Sequence, residues 1–261
     1  MDEVNLNLDH IVVFVDDMDS ARQAWGVAGF TVTAGGEHAL MGTTDALVVF
    51  ESGEYLELVT HSNATMQEVI SRLRHGDLGA TRPATSLMGR RFLDLAARGP
   101  GVRGFALRTL NLTAYLERAA DLEIPYEAAT QGSRTRSDGS VIQWRTSIPF
   151  AEELPFLIED VTPTTNRIPD GSARVHANGA SCVSRIDVGV RDLEYAIRLW
   201  SELTDRDPMD ASGDETGTLN QVRFDIGQAH IMLTSRPENE TSSSSTLSFE
   251  VTGPNGIIPH P

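Results

Sequence analysis

The feature that most limits what this chain can become is a repeated order of elements: a strand, a helix, then three strands. The run "LDHIVVFV" breaks into acidic residues and then into "DMDSARQAWGVAGF", which places Met18, Ala21, Trp25 and Ala28 on one helical face. Asp17 or Asp19 suits the N-cap of that helix, and Gly29 its end. Three strand-like runs follow, "FTVTAGG", "DALVVFES" and "GEYLELVTH", parted by glycine-containing turns. The same βαβββ order returns at "VRGFALRTLNLTAYLERAADLEI" with "PYEAATQ", "SVIQWRTSI" and "LPFLIEDVT". It returns again at "VSRIDVGVRDLEYAIRLWSEL" with "NQVRFDI" and "AHIMLTS". Locally, "HIVVFVDDMDSA" lies over "RIDVGVRDLEYA", and "ELVTH" over "EDVTP". A last piece, "TLSFEV", is fit to open an incomplete fourth copy.

Between the first two copies, residues 62–101 contain "ATMQEVISRL" and "RRFLDLAARG", both with helical periodicity, and read as a helical insertion. Residues 162–181, rich in Pro, Gly, Ser and Asn, make the natural boundary. The expected division is therefore 1–165, two paired modules with the insertion, and 166–261, a third module with a C-terminal strand. The tract "PENETSSSSTL" reads as a loop, since a serine run cannot hold a core.

Composition removes several classes of function. A chain of 261 residues, 40% hydrophobic, can bury one large core or two modest ones, and no stretch reaches the length of a membrane span. Its opening, "MDEVNLNLD", is acidic where an export signal is basic and apolar, so the expected location is the cytoplasm. A formal charge of −16 argues against nucleic acid and against anionic membranes as partners. The single cysteine, Cys182, excludes an internal disulfide and a thiolate zinc cage. There is no lysine, which removes Schiff-base chemistry and the P-loop at once. Neither a G-x-G-x-x-G nor a G-x-S-x-G stands in a useful setting, and there is no H-E-x-x-H.

The residue that needs explaining is His10, an imidazole in an apolar strand on the same side as Val12 and Phe14. It fits a buried structural histidine, a substrate contact or a metal ligand. Glu57 alternates with Tyr55 and Val59 and points into the same space as they do, where a nearby arginine could satisfy it without any metal. Trp144 and Arg145 point to opposite faces, and Trp144 is the better wall for a pocket. Arg134 and Arg136, in "GSRTRSDG", either hold a substrate carboxylate or phosphate or sit in a solvated turn. His38, in "GGEHALMGT", is placed to touch a ligand or to act as a further nitrogen donor.

A βαβββ repeat opening "LDHIVVFV" and closing "YLELV" resembles the vicinal-oxygen-chelate superfamily of glyoxalases, extradiol dioxygenases and antibiotic-resistance binding proteins. With "GFTVTAGGEHALMGTTDALV", "SDGSVIQWRTSIPF", "LPFLIED" and "HANG", it is similar more narrowly to the glyoxalase-like subgroup. That resemblance implies an α+β fold of repeated βαβββ modules whose curled sheets pair to form a cup around a divalent metal. Each module then supplies one ligand from its first strand and one from its last. His10 and Glu57 take those places in the first module, and Glu159 the last-strand place in the second. The second module's first-strand place falls on Gly104, and the third module's on Arg185 and Ile231, none of them a normal ligand.

What the resemblance implies is metal-assisted lyase or isomerase chemistry on a small oxygenated metabolite. Zn²⁺, Mn²⁺, Fe²⁺ or Ni²⁺ would be held by His10, Glu57 and Glu159, with Glu57 or Glu159 moving the proton next to a carbonyl. Ring-opening dioxygenation is a second possibility, and a metal-free protein that sequesters a drug-like or aromatic compound a third. A homodimer would cover the edge strands of the incomplete module.

Overall fold

In each of the three modules the junction between the first strand and its helix carries a side-chain cap that fixes where the helix begins. Asp17 accepts a hydrogen bond from the Ser20 backbone N–H and starts α1 (Met18–Val27). Asn111 does the same through Ala114 for α4 (Leu112–Asp121), and Asp192 through Tyr195 for α6 (Leu193–Thr204). The structure is a computed structural model and describes residues 5–38, 42–77, 87–135, 139–151, 153–211, 220–236 and 246–261.

Strands β1 (Asn7–Phe14), β2 (Thr33–His38), β3 (Thr43–Val49) and β4 (Tyr55–His61) complete the first module. The insertion forms α2 (Ala64–Arg74) and α3 (Leu87–Ala97). The second module has β5 (Gly101–Arg108), β6 (Thr130–Thr135), β7 (Val141–Ser147) and β8 (Phe156–Asp160). Its second strand lies later than "PYEAATQ" suggests; Tyr126 makes only an isolated bridge to Pro149, and regular pairing with β7 begins at Thr130.

These eight strands form one sheet in the order β2-β3-β4-β1-β5-β8-β7-β6. The two first strands, β1 and β5, meet antiparallel at its centre, each flanked in parallel by its module's last strand. The sheet curls until β6 returns against β2, which makes a nearly closed cup. A short α5 (Thr164–Arg167) and a 3-10 turn at Gly171–Arg174 lead into the second sheet. That sheet is built from β9 (Cys182–Val190), β10 (Met209–Asp210), β11 (Gln221–Ile226), β12 (Ala229–Ser235), β13 (Thr246–Gly253) and β14 (Gly256–Ile258). Its order is β10-β11-β12-β9-β13-β14, so β13 pairs antiparallel with β9 as β5 pairs with β1, and a hairpin stands where a fourth module would be.

The two sheets share a core on the outside of the cup. Ile11, Val13, Leu56, Leu58, Phe105 and Leu107 from the first sheet pack with Ile186, Val188, Phe224 and Ile231 from the second. Trp200 of α6 stacks on Phe105 at 6.1 Å and donates its indole N–H to the Glu153 carbonyl at 2.9 Å. Each fully buried side chain of this size contributes roughly 1.5–3 kcal/mol, so the third module is firmly joined to the cup wall. Inside the cup, Met66, Val69 and Ile70 of α2 and Met88, Phe92 and Leu93 of α3 pack on Val12, Phe14, Val59, Ala106, Phe156 and Ile158. The insertion thus fills one end of the concave face and leaves a cavity at the other. No described helix is long and apolar enough to cross a membrane.

Candidate functional site

Strand alternation decides which side chains reach the cavity, which measures about 190 Å³. From β1 comes His10, from β3 Asp45 and Leu47, and from β4 Tyr55 and Glu57. Across the cup, β6 supplies Arg134, β7 Trp144 and β8 Phe156 and Ile158, while Met88 and Phe92 of α3 close the top. One end is therefore charged, the other aromatic and aliphatic.

At the charged end, Asp45 pairs with Val59 and Leu47 with Glu57, so the two carboxylates are diagonal neighbours on one face. His38 joins them from β2, and a ligand atom from each of His38, Asp45 and Glu57 lies within 4.8 Å of the others. All three are buried. Burial first, and the Glu57 charge second, push the Asp45 carboxyl up to about 6; His38, the Gly36 N–H and Arg134 offset only part of this. The Gly36 backbone N–H donates to Asp45, and the Arg134 guanidinium stands 4.0 Å from it. Gly35 is needed for this approach, since any Cβ there would overlap the Asp45 carboxyl.

The arrangement fits a divalent cation. Two buried carboxylates side by side are short of positive charge even with Arg134 at 4.0 Å from Asp45, and oxygen with imidazole is a donor set that Zn²⁺, Mn²⁺, Fe²⁺ and Ni²⁺ accept. Thr43 Oγ1 lies 3.3 Å from His38 Nδ1, and the tautomer in which Nδ1 donates to that hydroxyl has its Nε2 lone pair free for a cation. His10 stands beside this cluster, its Nε2 3.7 Å from Glu57 Oε2. Its Nδ1 is 2.7 Å from Asp9 Oδ1. Burial alone would raise the Asp9 carboxyl, but Arg167 and the His10 hydrogen bond outweigh it and hold Asp9 well below the usual carboxylate range. Asp9 therefore accepts and Nδ1 donates, which in the neutral imidazole puts the single proton on Nδ1 and leaves the lone pair on Nε2.

The structure brings His10, His38, Glu57, Arg134 and Trp144 to one cavity. Arg134 lies on β6 rather than in a turn, with its side chain 11% exposed. Arg136 lies outside the described residues. Glu159 does not join them, which corrects the ligand set His10, Glu57 and Glu159. Phe156 and Ile158 face the cavity, so alternation turns Glu159 to the other side of β8, where it accepts from Arg145 Nη1 at 3.1 Å. The likeness of "EDVTP" to "ELVTH" misleads here. In the first module Gly104's counterpart His10 lies opposite Tyr55, two residues before Glu57; in the second Ala106, two residues beyond Gly104, lies opposite Phe156. The counterpart of Glu57 is thus Phe156, whose ring sits where a Cβ on Gly104 would be, at 2.9 Å. In the third module Ile231 is core, and Arg185 and His230 pair with Asp187 and Asp225 at 2.5 and 2.6 Å.

Asp45, Asp9 and Arg167 escape a reading of the sequence, and Tyr55 enters it only as a face neighbour of Glu57. Asp45 had a signal, since it shares a strand face with Leu47 and Val49 in "TDALVV"; Arg167 had none, lying in the linker.

With this geometry in hand, the glyoxalase-like domain family matches residues 8–204. The chain belongs to that family. A search of curated proteins finds no match. Among solved structures, a hypothetical protein from Staphylococcus aureus is similar at 14% identity and a TM-score of 0.66, over 92% of this chain and 88% of that one. A xylose isomerase-like TIM barrel/4-hydroxyphenylpyruvate dioxygenase fusion protein is similar at 15% identity and 0.52, over 93% of this chain and 36% of that one. Methylmalonyl-CoA epimerase from Mycobacterium tuberculosis scores 0.39 at 18% identity, over 61% and 90%. At such identities the first two likenesses speak to the fold alone.

Proposed function

We propose that the cup binds a small oxygenated metabolite and carries out lyase or isomerase chemistry beside a carbonyl, with a divalent cation held by His38, Asp45 and Glu57. The observation that carries this is the convergence of three buried metal-type donors on one wall of the cavity. A cation there would polarise the substrate carbonyl and take up the negative charge that develops on its oxygen. His10 Nε2, bare and facing the cavity beside Glu57, takes the proton from the neighbouring carbon and returns it. Asp9 holds the imidazole in the orientation this needs. Arg134 neutralises an anionic group on the substrate. Trp144, Met88, Phe92 and Phe156 exclude water and accept an apolar body. At about 190 Å³ the cavity suits one ring or a short branched chain; an apolar cavity of about 150 Å³ already holds benzene.

The aromatic end also favours a second reading, a metal-free binder of small aromatic compounds. Dialysis against Mn²⁺, Fe²⁺, Ni²⁺ or Zn²⁺ followed by metal analysis separates the two. The proposal expects close to one ion per chain in the wild type and in Glu159→Gln, and loss of it in Asp45→Asn and Glu57→Gln. A wild type that takes up none of the four metals leaves the binder.

A further inference from the structure

We infer that Arg167 is a positioning residue for His10: acting through Asp9 and Tyr55, it holds the imidazole with its proton on Nδ1 and Nε2 open to the cavity. This rests on the reading of His10 as the proton carrier. The starting point is an irregularity in β1. Leu8 pairs with Leu107 and His10 with Ala106, which leaves Asp9 as the unpaired residue of a β-bulge. A bulge re-aims the side chain it frees, and here the freed carboxylate is wholly buried.

Arg167 meets it as a fork. Nη1 donates to Asp9 Oδ1 at 2.9 Å and Nη2 to Asp9 Oδ2 at 2.8 Å. The opposite edge of the guanidinium grips β8, with Nε donating to Asp160 Oδ1 at 2.6 Å and Nη2 to Oδ2 at 3.0 Å. Thr164, one turn earlier in α5, donates its hydroxyl to the same Asp160 at 2.7 Å. Nη1 also donates to the Tyr55 hydroxyl at 2.7 Å, and the Tyr55 ring lies stacked on His10 at 5.0 Å. The imidazole is therefore fixed at its edge by Asp9 and over its face by Tyr55, and Arg167 anchors both.

The count of donors separates this role from substrate binding. A guanidinium has five N–H groups, and these five contacts use them all. Although Arg167 lines the cavity, it has no donor left for a ligand. Lysine at this place keeps the charge but cannot span both Asp9 oxygens, Asp160 and Tyr55.

Nitrogen-15 NMR of the histidine side chains tests this, with His10 assigned from a His10→Asn variant. The wild type is expected to show one His10 tautomer, protonated on Nδ1. In Arg167→Lys both nitrogens should move to averaged positions as the second tautomer becomes populated, while the other imidazoles stay unmoved. A wild type protonated on Nε2 overturns the inference without any variant, and so does an Arg167→Lys protein with an unchanged His10. Should Arg167→Lys fail to fold, Asp9→Asn, which breaks the carboxylate link between Arg167 and His10, carries the same comparison with the same outcomes. The spectra are taken in chelator, so the readout does not depend on metal uptake. A wild type that takes up no metal would defeat the proposed function and leave the tautomer result standing.

Discussion

Replacing Asp45 by asparagine should stabilise the metal-free protein at neutral and alkaline pH. In the fold this carboxyl is raised from its ordinary 3.8 to about 6, by burial and by Glu57 beside it. Between those two values the native state holds more proton than the unfolded chain, so its stability falls as pH rises through that window. At about 1.4 kcal/mol per tenfold change in proton affinity, the whole fall is about 3 kcal/mol. The amide oxygen of the substituted side chain would still accept from the Gly36 N–H, and it brings no charge. Urea unfolding in chelator, from pH 4 to pH 8, reads the difference. The variant's advantage should be well under 1 kcal/mol at pH 4 and about 3 kcal/mol at pH 8, a midpoint higher by about 1 M or more. With saturating metal the order should invert, because only the wild type gains the cation. A variant no more stable than wild type at pH 8, or a gap that does not grow with pH, would refute the picture of a buried carboxylate pair short of positive charge.

Glu159→Gln should leave metal uptake unchanged and cost at most about 1 kcal/mol in urea unfolding, since its half-buried pair with Arg145 lies on the outer face. Gly132→Ala should cost about 1–3 kcal/mol and shift tryptophan fluorescence, because a Cβ there overlaps the Trp144 indole. His61, buried against Phe14, is held below its ordinary 6.5 by burial. Its NMR titration should fall below that value, and because the unfolded chain then binds more proton, its contribution to stability is lost as pH drops through 6.5.

Much of the fold was legible because a period of two and a period of 3.6 are written directly in residue order. The same period placed His10 with Val12 and Phe14, Glu57 with Tyr55 and Val59, and Trp144 opposite Arg145, and the structure keeps all three pairings of face. Glu159 was misplaced by a different kind of inference, a short likeness between "EDVTP" and "ELVTH" taken as equivalence. An odd shift of register turns a side chain to the other face, and the pairing of β5 with β8 makes Phe156, three residues before Glu159, the counterpart of Glu57. Asp45 was hidden inside an apolar run whose inward face it shares. Arg167 could not be found at all, because its chemistry lies in contacts with Asp9 and Tyr55, separated from it by 158 and 112 positions. Periodicity reports the face of an element, and it is silent about what a linker folds back to touch.

The most direct test of the cation site is anomalous diffraction at the manganese or zinc edge from crystals grown with that ion. One peak is expected in the cup, within bonding distance of His38, Asp45 and Glu57 together and remote from Glu159. Absence of any peak in the cup, or a peak that engages only one of the three, would contradict the proposal.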